Sequence, residues 1–206
     1  MSQGMSELPL FPLRSVLFPG GKLALKVFEA RYLDLVSDCL RHQRPFGVVC
    51  LLQGAEVRSA NDDVRFETTG VLARLDEVDS EQAGLLQARC TGTQRFALGG
   101  AAARQADGLW TASVTLLPDD EHQAPVADVM PTVQALASAI ATLKMQGSTP
   151  FYEPYRLDDA GWVANRWCEI LPIARGAKQK LMELQDPAMR LQLVHEYLQG
   201  KGVVAG

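Results

Sequence analysis

The chain has 206 residues, 47% of them hydrophobic and 21% charged, with a formal net charge of −4. That length allows one large domain or two small ones with a core that needs no covalent staples. The acidic balance offers no electrostatic footprint for duplex DNA or an anionic membrane, and no apolar run approaches the roughly 18 residues that span a bilayer.

Leu8–Leu13 and Ser15–Phe18 read as short extended pieces, with Pro9 and Pro12 suited to a strand edge. The same prolines, with Arg14, interrupt the apolar run, and the leader MSQGMSE carries an acid and no base, so a secretion signal is not expected. Pro19-Gly20-Gly21 marks a turn. Lys22–Phe28 then alternates, Leu23, Leu25 and Val27 on one face and Lys22 and Lys26 on the other. From Glu29 the spacing of Tyr32, Leu35 or Val36, Cys39 and Leu40 predicts a helix of about three turns, stopped by Pro45.

Phe46–Leu52 is a continuous apolar run, the pattern of a strand buried on both faces. Gly54–Asp63 is polar and reads as a loop. Strands are expected at 66–78 and 85–91, joined by DSEQAG, and at 94–98 and 110–116, with Asp107-Gly108 as a turn signal. In the last strand Trp110, Ala112, Val114 and Leu116 share a face. So many short strands suggest a curled sheet or barrel.

After Pro118 the period changes. Val126, Val129, Val133, Leu136, Ile140 and Leu143 follow helical spacing, complicated early by Pro131 and closed by Gly147 and Pro150. A second helix carries Trp162, Val163, Trp167, Ile170 and Leu171 and stops at Pro172. A third runs from about Ala174 to Gln185, with Leu181, Met182 and Leu184. The fourth starts with Asp186 as N-cap and Pro187 at the first helical position, and Gly200 is its expected C-cap. Strands first and helices afterwards mean an α+β chain: a β-rich part over 1–117 with one inserted helix, and a helical bundle over 118–206.

Motifs for chemistry are sparse. Gly20-Gly21-Lys22 ends like a phosphate-binding loop, but Ser15 stands where the first glycine belongs and Leu23 where Ser or Thr must bind magnesium. Cys39, Cys50, Cys90 and Cys168 show no CxxC spacing, which points to reduced thiols in a cytoplasmic protein. His42, His122 and His195 form no HExxH, and neither GxSxG nor GxGxxG occurs. The pairs Asp62-Asp63, Asp119-Asp120 and Asp158-Asp159 are expected to solvate turns or cap helices. Arg175, Lys178 and Lys180 read as a solvated helix face. Hence no catalytic residue, metal ligand or cofactor site is assigned. Phe151, Tyr152 and Tyr155, interleaved with Pro150 and Pro154, suit either loop packing or an anchor for an extended peptide.

The stretch ELPLFPLRSVLFPGGKLALKVFEARYLDLV resembles the start of the N-terminal domain of Lon proteases. The likeness extends through Gly70-Val71-Leu72-Ala73 and Gly92-Thr93-Gln94-Arg95-Phe96 to Lys180-Leu181-Met182-Glu183-Leu184, Asp186-Pro187 and Arg190-Leu191. It implies a PUA-like pseudo-barrel followed by a helical bundle, and a role in recognising unfolded or tagged polypeptides. The chain ends where Lon proteases continue into ATPase and protease domains. The expectation is therefore a stand-alone, non-catalytic module that holds exposed polypeptide segments between its two parts or along a sheet edge. Phe11, Phe151, Tyr152 and Tyr155 are the aromatics to test, with the binding surface itself unknown. The reading leaves room for a separate protease or chaperone as partner and for a weak homo-oligomer. An RNA-binding protein, which needs Arg89, Arg95, Lys178 and Lys180 on one face, ranks second. A small Cys or Ser hydrolase ranks third.

Overall fold

The computed structural model describes residues 5–54 and 64–205. Among these the elements are β1 (Met5–Leu13), β2 (Lys22–Val27), α1 (Ala30–His42), β3 (Phe46–Gln53), β4 (Arg65–Gln82), β5 (Leu85–Leu98), β6 (Ala103–Arg104) and β7 (Trp110–Leu116). A 3-10 turn (Ala127–Val129) then leads into α2 (Met130–Met145), α3 (Ala160–Ile170), α4 (Arg175–Glu183) and α5 (Pro187–Gly200). This is the α+β order, a mixed sheet followed by helices. The backbone falls into two compact units, Met1–Asp119 and Asp120–Gly206. Among the described residues no helix is long and apolar enough to cross a membrane.

In the first unit the strands are ordered β2-β5-β4-β3-β1-β7-β6, and β5 also pairs with β7. That extra pairing bends the sheet back on itself. β5, β4, β3, β1 and β7 make a ring, while β2 and β6 attach outside it, so the unit is a pseudo-barrel and not a clean barrel. β1 and β3 are parallel; the other pairs are antiparallel. Leu8, Leu10, Val49, Leu72, Phe96, Ala112 and Val114 form one buried cluster. β3 is buried from Phe46 to Leu51, as its uninterrupted apolar run requires, whereas Leu52 is exposed.

Several sequence expectations change. Ser15–Phe18 is connection and not strand: Leu17 and Phe18 bury their side chains without joining a ladder. The pieces at 85–91 and 94–98 are one strand, because Gly92 keeps the ladder going opposite Ala73. β4 continues through most of DSEQAG, and Ala83-Gly84 makes the turn. Leu40 is exposed on α1, whose core face is Tyr32, Leu35, Val36 and Cys39. Beyond Gly54, the 54–63 loop and its Asp62-Asp63 pair lie outside the described residues.

In the second unit, α2 begins at Met130 with Pro131 in its first turn, where no amide partner is lost. Val126 therefore precedes the helix and is exposed, while Val129, Val133, Leu136 and Ile140 are buried. Asp159 caps α3 by accepting from the Gly161 and Trp162 amides. Asp186 caps α5 by accepting from the Met189 amide at 3.0 Å. Gly200 is the last helical residue and not the cap. The left-handed position falls at Gly202 (φ 68), where Val203 and Gly202 amides donate to Leu198 and Gln199 carbonyls in a Schellman closure.

Asp120 also departs from its expected role. It does not solvate a turn but forms a two-pronged ion pair with the buried Arg190 of α5, Nη1 to Oδ2 at 2.6 Å and Nη2 to Oδ1 at 3.2 Å. Asn165 Oδ1 and the Leu181 and Leu184 carbonyls accept the remaining Arg190 donors. A buried guanidinium needs this complete set of acceptors, because desolvation makes any unmet donor costly.

Candidate functional site

The turn at Pro19-Gly20 decides where β2 goes. Gly20 sits at φ 75, the backbone angle that a type II turn asks of its third residue, and the Gly21 amide closes the turn on the Phe18 carbonyl. The turn is then tied to β5: the Gly20 amide donates to the Gly92 carbonyl and the Gly92 amide to the Gly21 carbonyl. A side chain on Gly92 would lie 2.4 Å from the Phe18 carbonyl oxygen, so only glycine admits this approach. Two segments far apart in sequence, the FPGG turn and the GTQRF strand, thus meet by backbone contact.

As a result β2 ladders onto β5, from Lys22 opposite Thr91 to Val27 opposite Leu86, and does not fold back onto β1. Among the described residues β2 pairs with β5 alone, so its other edge carries no strand. β1 pairs with β7 only as far as Leu10, and from there Leu10–Leu13 follow β3. A split therefore opens between the end of β1 and the free edge of β2. It holds a groove of about 390 Å³ lined by Phe11, Leu13, Ser15, the 23–29 stretch and Tyr32.

The floor of this groove is apolar and stiff. Phe11 stacks on Tyr32 with ring centroids 4.0 Å apart and planes within 17°. Leu25 and Val27 are buried beside them. The Arg31 guanidinium lies 4.5 Å from the Tyr32 ring centre, donates to the Gly108 carbonyl at 2.7 Å and pairs with Glu29 at 3.1 Å. Arg31 thereby anchors the start of α1 to the β6–β7 turn. At the mouth, Phe28 is 54% exposed. An exposed aromatic above an apolar floor, beside a strand edge that pairs with no strand among the described residues, is suited to gripping an extended chain.

The aromatics singled out from sequence divide. Phe11 lines the groove, but as buried floor. Phe151 is buried in the helical unit, edge-on to Trp162 at 6.1 Å, and Tyr155 packs on the same indole at 6.0 Å with the Lys144 ammonium over its ring. Of the three aromatics on that loop, Tyr152 alone is exposed. Sequence reasoning missed Phe28. Its signal was available: Phe28 continues the lysine face of β2, where an aromatic side chain is out of place.

The four residues an RNA surface would need are committed elsewhere. Arg95 is buried and donates to the Pro118 carbonyl. Arg89 binds Glu77 and Asp79 at 2.6 and 2.7 Å. Lys178 donates to the Glu169 carbonyl and Lys180 to Glu183. The thiols are equally unsuited to attack. All four cysteines are free and buried. Burial first, then the Asp38 charge, pushes Cys39 up to about 11. Burial, Asp76 and Cys39 push Cys90 up to about 12, and burial pushes Cys168 to about 12 against the pull of Arg190. His195 is buried with its Nδ1 2.8 Å from Thr132 Oγ1, while His42 pairs with Asp38 and His122 approaches Asp158. Among the described residues no three His, Cys, Asp or Glu side chains gather to hold a metal.

The family model described as the ATP-dependent protease La (LON) substrate-binding domain matches residues 7–200. The chain is 27% identical over 198 residues to a Lon protease of Paraburkholderia phytofirmans, covering 94% of this chain but 24% of that protein's length. Among solved structures, a Lon N-terminal domain protein from Xanthomonas campestris is similar at 30% identity and TM-score 0.75, over 94% of this chain and 99% of that one. The N-terminal domain of a Mycobacterium avium complex Lon protease shares the fold at 16% identity and TM-score 0.61, over 93% and 97% of the two chains.

Proposed function

The chain belongs to the ATP-dependent protease La (LON) substrate-binding domain family, and from that premise we propose that it is a polypeptide-recognition module whose binding surface is the β1–β2 split. The observation that carries this reading is the edge of β2, which pairs with no strand among the described residues, beside a groove floored by Phe11, Tyr32, Leu25 and Val27. An extended segment added along β2 would satisfy that edge's backbone groups, and its alternate side chains would enter the groove. The volume suits a few apolar side chains and not a folded partner. Recognition of this kind favours unfolded or exposed segments, since only they can offer a free backbone and alternating side chains.

The described residues contribute no bond-breaking step in this reading, which the buried thiols with raised pKa values and the hydrogen-bonded His195 support. A cytoplasmic setting and a separate protease or chaperone as recipient of the bound chain belong to the same proposal.

Titration of a reduced, carboxymethylated unfolded protein, followed by fluorescence anisotropy, tests it. Saturable binding in the micromolar range is expected. Phe28→Ala should weaken it about tenfold, the effect of removing one aromatic anchor, without moving the unfolding curve. No saturation up to high micromolar, or equal binding by the variant, would refute the groove as the site.

A further inference from the structure

In an antiparallel ladder each residue turns both its backbone groups toward the neighbouring strand or both away from it, in strict alternation. The FPGG turn sets that phase on β2. The Gly20 amide donates to the Gly92 carbonyl and the Gly92 amide to the Gly21 carbonyl, with Gly20 at φ 75. Two residues of the turn thus oppose one of β5, which is a glycine bulge of the G1 kind. Gly21 is therefore bonded to β5, and the register continues without a shift from Lys22 opposite Thr91 to Val27 opposite Leu86. It follows that Leu23, Leu25 and Val27 turn their N–H and C=O groups to β5. Ala24 and Lys26 turn theirs to the other edge, which pairs with no strand among the described residues. Both of these residues are exposed and line the groove, while Leu25 and Val27 are buried beside them.

Resting on the groove reading above, we infer that Ala24 and Lys26 hold the bound segment through their main chain, and that the site selects segments with no proline in the row that faces them. Every residue but proline carries the amide that such bonding uses. The row that bonds to Ala24 and Lys26 is thus read for backbone donors and is tolerant of side-chain type, while the groove beside it takes apolar side chains. The substrate class is exposed, extensible segments of about five residues, the length of an ordinary strand. A proline is admitted in the alternate row, where its nitrogen points away from β2. A foreign segment fits this edge better than a second copy of the chain, because a lysine on an edge strand such as Lys26 discourages pairing between copies.

Two ten-residue peptides test it, titrated against the full chain by anisotropy. One alternates Val and Thr. The other has the same side chains, with ester oxygens replacing the amide N–H groups of its six central residues. Losing the two donors to the Ala24 and Lys26 carbonyls predicts binding weaker by about five- to 150-fold. Ala24→Pro removes an amide that faces the edge and leaves the β2–β5 ladder bonds in place, so on this variant the difference between the two peptides should shrink. The peptide pair on the natural chain decides the matter even where the proline variant does not fold. Equal binding of the amide and ester peptides would overturn the inference and leave the groove reading intact, with side chains alone holding the segment. An ester loss undiminished in a folded Ala24→Pro variant would overturn it too, placing the bonded edge elsewhere. So would a dimer of the chain, seen by sedimentation, that the amide peptide does not disperse. If neither peptide binds, the groove reading fails and this inference with it.

Discussion

Removing the Asp120 carboxylate should strand a buried cation. Arg190 is 1% exposed and Asp120 15% exposed, and the carboxylate meets the guanidinium through both oxygens. In Asp120→Ala the guanidinium keeps only neutral acceptors, Asn165 Oδ1 and the Leu181 and Leu184 carbonyls. Breaking a buried pair from one side costs about 3–5 kcal/mol, and the surviving acceptors place this case near the lower bound, about 3 kcal/mol. With a urea slope of about 1.5 kcal/mol/M, the unfolding midpoint should fall by roughly 2 M. Removing both partners, as Asp120→Leu with Arg190→Met, should restore most of the loss, because no charge is left in the interior. Urea unfolding followed by tryptophan fluorescence in a Trp110→Phe background reads the helical unit through Trp162 and Trp167. A loss under about 1 kcal/mol in Asp120→Ala, or a double variant no better than the single, would refute the argument and return Asp120 to a solvated turn.

Gly92→Ala should destabilise the β unit by about 1–3 kcal/mol, since its Cβ would press on the Phe18 carbonyl. Gly176→Ala, which meets nothing within 4 Å on the exposed start of α4, should instead stabilise by up to about 1 kcal/mol; thermal melts of the pair give the contrast. At pH 8 a thiol with a pKa of about 11 is ionised in only about one molecule in a thousand. A disulfide reagent should therefore label essentially no thiol in the native protein and all four in denaturant, and rapid native labelling would contradict the assigned burial. Phe11→Ala should cost about 3–5 kcal/mol through its lost stack on Tyr32. Phe28→Ala should leave stability within about 0.5 kcal/mol, so equal unfolding curves for these two variants would contradict the assignment of floor and mouth.

How far the sequence could be read depended on the range of the interaction involved. Asp186 and Pro187 announced α5 because a cap and a first-turn proline act within a few residues. The β2 alternation and the buried β3 run were equally visible, since side-chain direction follows a two-residue period. Gly202 was missed in favour of Gly200, because both glycines follow the same stripe and the helix length that chooses between them depends on packing. The split of β5 into two strands was an error of the same kind: Gly92 resembles a break until the FPGG turn is placed against it.

Sequence by itself determined the strand-then-helix order, the alternation of β2 with its lysine row, the principal helix caps and the family likeness. All of these are written in local spacing and short motifs. Tertiary structure alone decided that β2 joins β5 and leaves an edge open, that Phe11 becomes floor while Phe28 stands at the mouth, and that Asp120 balances Arg190 across 70 residues. Those outcomes depend on which distant backbone and charged groups come into contact, and local periodicity carries no term for contacts between segments.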